Sequence, residues 1–353
     1  MKRFECPHCR AAVYFDNTAC VSCKRELGYV PNTFEMAALD PETQAWKTAA
    51  DDRLACLPCE NRQYDACNWL RPAESGDRRC VACQHNRTIP DLSVPANVAN
   101  WRKTELAKRH LFYSLMRWRL PIPTRKDDPE KGLAFDFLSD VVKADGTVQP
   151  VMTGHDTGLI TLNIAEADDA EREKRRASMG EPYRTLLGHF RHEVGHYYWD
   201  RLVRDGGKVE RSRQLFGDDS QNYGEALKAH YENGPPADWQ TSFISSYATS
   251  HPWEDFAETW AHYIHMVDAL ETAKVFGINV HPTPGSGGRP QETEVAFDPY
   301  FVADAQALVG AWVPLTVAIN SVNRSMGQPD LYPFVLAPPV VAKLQFIHEI
   351  IHR

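Results

Sequence analysis

His192-Glu193-Val194-Gly195-His196 places two imidazoles and one carboxylate on a stretch that otherwise reads as a helix. Residues four apart on a helix share a face, with Cβ atoms about 5–6 Å apart, so both imidazoles can ligate one Zn²⁺. Glu193 then stands beside the metal without binding it. The chemistry open to such a set is hydrolytic: the metal polarises a water and the glutamate takes its proton. At this chain's composition the pattern arises by chance roughly 0.03 times per chain, so the spacing carries weight. The plain alternative is a buried helix whose histidines only satisfy hydrogen bonds.

A helix must hold these residues, and its flanks agree. Pro182 sits where a first-turn proline would, and Leu186, Leu187, Phe190, Val194, Tyr197 and Tyr198 keep helical spacings. A third ligand should come from Ser246 to His262, where Ser250 can cap, Pro252 falls in the first turn, and Ala257, Ala261 and the aromatics continue a helix. Glu254 and Glu258 lie one turn apart on one face. Burying both carboxylates needs a cation and hydrogen bonds, whereas a solvated acidic stripe needs neither. Trp253, Phe256 and Trp260 make the segment too apolar to be wholly exposed. His251, Asp255, Glu258, His262 and His265 all compete with Glu254 for the third position. Asp200, one turn after His196, is either the partner that orients that imidazole or an ordinary surface aspartate.

All nine cysteines precede residue 84. Cys6-x2-Cys9 and Cys20-x2-Cys23 form two knuckles about ten residues apart, a spacing that closes one tetrahedral four-thiolate zinc site. Disulfides would imply export, and the first residues contain no apolar run of the kind an export signal needs. Of the remaining five, Cys80-x2-Cys83 is a clear knuckle and Cys67 a third donor, while Cys56 and Cys59 compete for the fourth place.

The pair H-E-V-G-H and E-D-F-A-E, with Tyr247 seven residues before Glu254, resembles the catalytic domain of the lethal-factor-type, gluzincin-like zinc metallopeptidases. The resemblance implies Glu254 as third ligand ahead of Glu258, Glu258 as the carboxylate behind a ligand, and Tyr247 as the hydroxyl that stabilises the oxyanion. Over nearly its whole length, through Cys67-Asn68-Trp69, Ile89-Pro90-Asp91-Leu92 and Gly188-His189-Phe190-Arg191, the chain is similar to a bacterial family of zinc-binding metallopeptidases with zinc-ribbon modules. That similarity favours Cys59 over Cys56.

The expected organisation is a zinc ribbon at 1–30, a connector at 31–50, a second cysteine module at 51–95 and a zincin-like peptidase domain at 96–353. The fold class is α+β, mainly helical with a small sheet. A helix is expected from Asn97 to Arg119, strands at 133–138 and 158–164, a short helix from Gln221 to Asn233, and helix again from Tyr300. For such a protease the strand 158–164 is expected to offer an edge to the substrate backbone, unless it is simply a core strand. His281 to Pro290 is the stretch richest in turn formers.

Composition bounds the partners. Residues 1–95 hold 12 Lys+Arg against 13 Asp+Glu, and the chain carries a formal charge of −8, so nucleic acid is disfavoured. No uninterrupted apolar run approaches 18 residues, which argues against a membrane anchor, and the thiol-rich zinc modules point to a reducing cytoplasm. The expected cofactors are one catalytic Zn²⁺ and up to two structural ones. The expected partners are a peptide or protein substrate and a protein docking on the ribbons. The competing expectation is a non-catalytic, zinc-stabilised protein- or nucleic-acid-binding module, which leaves Glu193 without a purpose.

Overall fold

The computed structural model describes residues 2–51, 53–142, 145–149, 151–179, 185–283 and 292–352. Pro182 and residues 284–290 of the turn-rich stretch lie outside them. The chain divides into two compact units, Lys2–Arg172 and Glu173–Arg353. The class is α+β, with several small sheets in the first unit and helices dominating the second.

The first unit opens on two matching turns. Strands β1 (Phe4–Glu5) and β2 (Ala12–Val13) flank the Cys6–Cys9 knuckle. Arg10 N–H donates to Cys6 O and Lys24 N–H to Cys20 O, each at 2.9 Å, with left-handed φ of 63° and 64° at Arg10 and Lys24. Strands β3 (Leu27–Val30), β4 (Glu35–Leu39) and β5 (Trp46–Lys47) form an antiparallel sheet, and β6 (Cys56–Pro58) pairs with β7 (Leu70–Pro72). Buried Phe4, Phe15, Tyr29 and Trp69 interlock edge to face and tilted, with Phe15 and Tyr29 centroids 4.7 Å apart. So small a module can bury little core, and this aromatic cluster supplies much of what it has.

Strand β8 (Asn86–Thr88) follows the last cysteine directly and joins a larger sheet. Helix α1 (Pro95–Arg117) starts on a proline at its first turn and buries Trp101, Leu111, Phe112 and Leu115. Strands β9 (Ala134–Leu138), β12 (Gly154–Asp156) and β13 (Leu159–Asn163) complete the sheet in the order β12-β13-β9-β8, after a hairpin of β10 (Val141–Val142) and β11 (Val148–Gln149). The strand expected to offer a free edge, β13, pairs with β12 on one side and β9 on the other. Its backbone groups are already spent on the sheet, so it has no free edge and is the core strand of the alternative reading.

Helix α2 (Asp169–Met179) straddles the division. The second unit is then α3 (Leu186–Tyr198), a π-helical turn at Trp199–Arg204, α4 (Val209–Phe216), α5 (Tyr223–Asn233), α6 (Pro252–Phe276), α7 (Ala305–Ser325) and α8 (Pro338–Ile351). Thr185 caps α3, its hydroxyl accepting from Gly188 N–H at 2.9 Å. His251, rather than Ser250, caps α6: its Nδ1 accepts from Trp253 N–H at 3.1 Å, with Pro252 in the first turn. Helix α6 is buried along most of its length and packs on α3, α7 and α8, as a helix apolar on several faces must. Polar pins fix it at both sides. Lys343 of α8 reaches Asp255 at 2.6 Å and Ser242 O at 2.7 Å, and Arg191 of α3 pairs with Asp268, which also receives Tyr300 Oη.

Among the described residues one helix, α7, is long and apolar enough to cross a membrane; half of its most apolar stretch is buried against the protein and Pro314 lies inside it. Asn320, Asn323 and Arg324 of α7 staple the segment that follows. Asn320 exchanges two hydrogen bonds with the Tyr332 backbone, Asn323 donates to Pro329 O, and Arg324 pairs with Asp330 at 2.5 Å.

Candidate metal centres

Helix periodicity puts His192 and His196 on one face of α3, and α6 brings Glu254 opposite them. One donor atom from each of the three lies within 4.8 Å of the others, and all three side chains are buried. Glu254 Oε2 stands 2.9 Å from His192 Nε2, and Oε1 stands 3.5 Å from His196 Nε2. The second imidazole nitrogen of His192, Nδ1, is 2.7 Å from Glu258 Oε1, whose other oxygen accepts from Ser245 Oγ at 2.6 Å. With its proton on Nδ1, the imidazole turns a lone pair on Nε2 toward the carboxylate. Glu254 Oε2 is buried and receives no hydrogen bond among the described residues. Two electron-rich atoms facing each other in a dry site call for a cation between them, and two imidazoles with one carboxylate are a zinc donor set.

The electrostatics agree. Burial opposes a charge on His192, yet the Glu254 and Glu258 carboxylates push its proton affinity well above the ordinary imidazole value. Burial likewise opposes ionisation of Glu254 and Glu258, but the imidazoles hold the first well below the usual carboxylate range and the second down to about 2. A pocket built this way takes up positive charge, either a proton or a metal.

Glu193 is buried next to the ligands and its Oε1 lies 3.2 Å from His189 Nε2, one turn back on α3. Burial raises its pKa, but His189, then His192 and His196, leave it below the ordinary carboxylate value. It is ionised at neutral pH. Tyr247 opens a short turn before α6, its ring 5.9 Å from that of His192. Burial, then the Glu254 charge, push its phenol well above the usual range, so it remains a donor. Tyr223 Oη donates to Glu254 Oε1 at 2.8 Å.

The other candidates go elsewhere. His251 caps α6, Asp255 pairs with Lys343, His262 Nδ1 is 2.8 Å from Tyr332 Oη, and His265 meets Arg191. Asp200 accepts from Arg204 Nη1 at 2.5 Å, one turn along. Glu258 is the carboxylate on the Nδ1 side of His192. Sequence reasoning missed His189, Ser245 and Tyr223. His189 was findable, since it is four residues before Glu193 on the same face; Ser245 and Tyr223 have no spacing relation to the motifs.

The cysteines gather into two sets, Cys6, Cys9, Cys20, Cys23 and Cys59, Cys67, Cys80, Cys83. Cys56 stays apart, in β6, against the apolar cluster of Val30, Trp46 and Leu70. Sulfur separations are 3.7 Å for Cys6–Cys23, 3.6 Å for Cys9–Cys20 and 3.7 Å for Cys67–Cys80. That is too long for a disulfide and close to the edge, about 3.8 Å, of a tetrahedron with 2.3 Å zinc–sulfur bonds. Burial and neighbouring thiols push Cys80 well above the ordinary thiol value, so four thiolates there require a cation. Trp69 N–H and Cys80 N–H point at the sulfurs of Cys67 and Cys59, at 3.4 and 3.3 Å. Buried Arg109 of α1 donates to Ala66 O, and burial's penalty on its charge is outweighed by the charges of Cys67 and Glu105. Glu105 Oε2 in turn lies 3.5 Å from Cys83 Sγ, and its Oε1 accepts from Asn86 Nδ2 at 2.6 Å.

Residues 97–350 match the model of a family described as "putative zinc-binding metallo-peptidase", and residues 3–94 match a zinc-ribbon domain. Uncharacterized proteins of Mycobacterium bovis and of two Mycobacterium tuberculosis strains are each 43% identical over 352 residues, covering 99% of this chain and 95% of the relative. No solved structure matches the chain.

Proposed function

The chain belongs to that metallo-peptidase family, and from this premise we propose that it hydrolyses peptide bonds at a zinc ion held by His192, His196 and Glu254, with Glu193 as general base. The observation that carries the reading is the convergence of those three donors beside a buried, ionised Glu193. Bound zinc supplies Lewis acidity and brings the pKa of a water toward about 7. Glu258 keeps the Nδ1 proton of His192 engaged, which leaves Nε2 to bind. Glu193 accepts a proton from the attacking water and returns it to the leaving amine, while His189 steadies its carboxylate. Tyr247 keeps its proton and donates to the oxyanion, an interaction worth roughly 3–4 kcal/mol per donor.

The two four-thiol sites would hold structural zinc, for three ions per chain. The ribbons then hold shape or dock a protein partner, and reduced thiols suit a cytoplasmic setting. The test is zinc content together with cleavage of a diverse peptide library by the full-length protein and by Glu193→Gln. Three zinc ions in both proteins with cleavage only in the first is expected. Cleavage that survives the substitution removes the general-base role. Two zinc ions and no cleavage from the unaltered chain would leave a zinc-stabilised binding scaffold.

A further inference from the structure

Helix α5 buries none of its residues, yet its first residue reaches the candidate zinc site. Tyr223 Oη donates to Glu254 Oε1 at 2.8 Å. The Tyr223 ring sits against His251, 5.3 Å between centroids, and Trp253, 6.0 Å, both in the first turn region of α6. His251 Nε2 also lies 3.2 Å from Gln221 O, just before α5, and further along α5 His230 Nδ1 lies 3.2 Å from Thr249 Oγ1. The helix therefore contributes to the site rather than to the core.

We propose that Tyr223 is a positioning residue of the metal centre: by occupying Oε1 it fixes the plane of the Glu254 carboxylate and favours coordination through Oε2, the oxygen nearer His192. The proposal rests on the reading that His192, His196 and Glu254 bind the metal. A carboxylate whose second oxygen accepts no hydrogen bond is free to rotate or to chelate through both oxygens, and hydrogen bonds behind a ligand are what prevent this.

The experiment uses the full chain with its cysteine sites already filled by zinc, which thiolates prefer, and cobalt(II) added to the remaining site. The unaltered protein should show the visible absorption of one four- or five-coordinate cobalt ion. Tyr223→Phe should show weaker absorption, since a chelating Glu254 raises the coordination number, and should lose cobalt to a chelator about tenfold more readily. Because phenylalanine keeps the ring that packs on His251 and Trp253, the thermal melting of the cysteine-site-loaded variant should match that of the unaltered chain. An unchanged spectrum and an unchanged cobalt affinity in Tyr223→Phe would overturn the proposal while leaving the metal centre intact. Failure of the unaltered chain to take up cobalt would overturn the underlying reading, and the proposal with it.

Discussion

Gly195 and Ala257 lie where α3 meets α6, and a Cβ built on Gly195 would stand 2.9 Å from Ala257 Cα. The contact is backbone to backbone, so no side chain can swing away to make room. This closeness is what lets Glu254, on the turn before Ala257, reach the imidazoles on either side of Gly195. Gly195→Ala should therefore cost about 1–3 kcal/mol by overpacking and loosen zinc as the helices part. Differential scanning calorimetry and zinc analysis read the two effects; an unchanged melting temperature with full zinc would contradict the argument.

Glu258 acts from behind His192. Its Oε1 accepts from the Nδ1–H of His192 and its Oε2 is held by Ser245, which also accepts from Ala248 N–H at 3.1 Å. Glu258→Gln keeps the shape and removes the charge, and zinc affinity should fall about 10–100-fold. Competition with a chromophoric chelator measures it. A variant that holds zinc as tightly as the unaltered chain would refute the orienting role.

His262 gives the fold a dependence on acid. Burial pushes its pKa down to about 4 despite the nearby Glu258 charge, whereas an unfolded histidine titrates near 6.5. Below pH 6.5 the unfolded chain gains a proton that the folded chain refuses, so stability is complete above 6.5 and falls as pH drops toward 4. The gap of about two and a half pH units sets an upper limit of roughly 3 kcal/mol. Urea midpoints of the unaltered chain should drop between pH 6.5 and 4.5 more steeply than those of His262→Gln. Parallel curves would exclude the histidine as the cause.

Spacing made the ligand helix legible, because four-residue separation fixes a shared face whatever the surroundings. Spacing left Glu254 among five competitors and only the family likeness put it first; Glu254 and Glu258 both turn toward His192. The capping residue of α6 was misjudged by one position: serine and histidine both offer an acceptor there, and the backbone of His251 is the extended one. The interior place of β13 was unreadable because strand order depends on partners far away in sequence, here β9. Tyr223 escaped for a related reason. It belongs to a helix with no buried face, so no hydrophobic period announces it, and its meaning lies in a contact 31 residues away.

The donor sets differ in kind between the two units: eight sulfurs in four-thiol groups before residue 84, and only imidazole and carboxylate in the helical unit. Peroxide attacks thiolates and passes over carboxylates and imidazoles at comparable exposure. Oxidative stress would therefore dismantle the amino-terminal modules first, ejecting any metal they hold and unfolding what that metal supports, while the imidazole and carboxylate donors of the proposed zinc centre stay chemically intact.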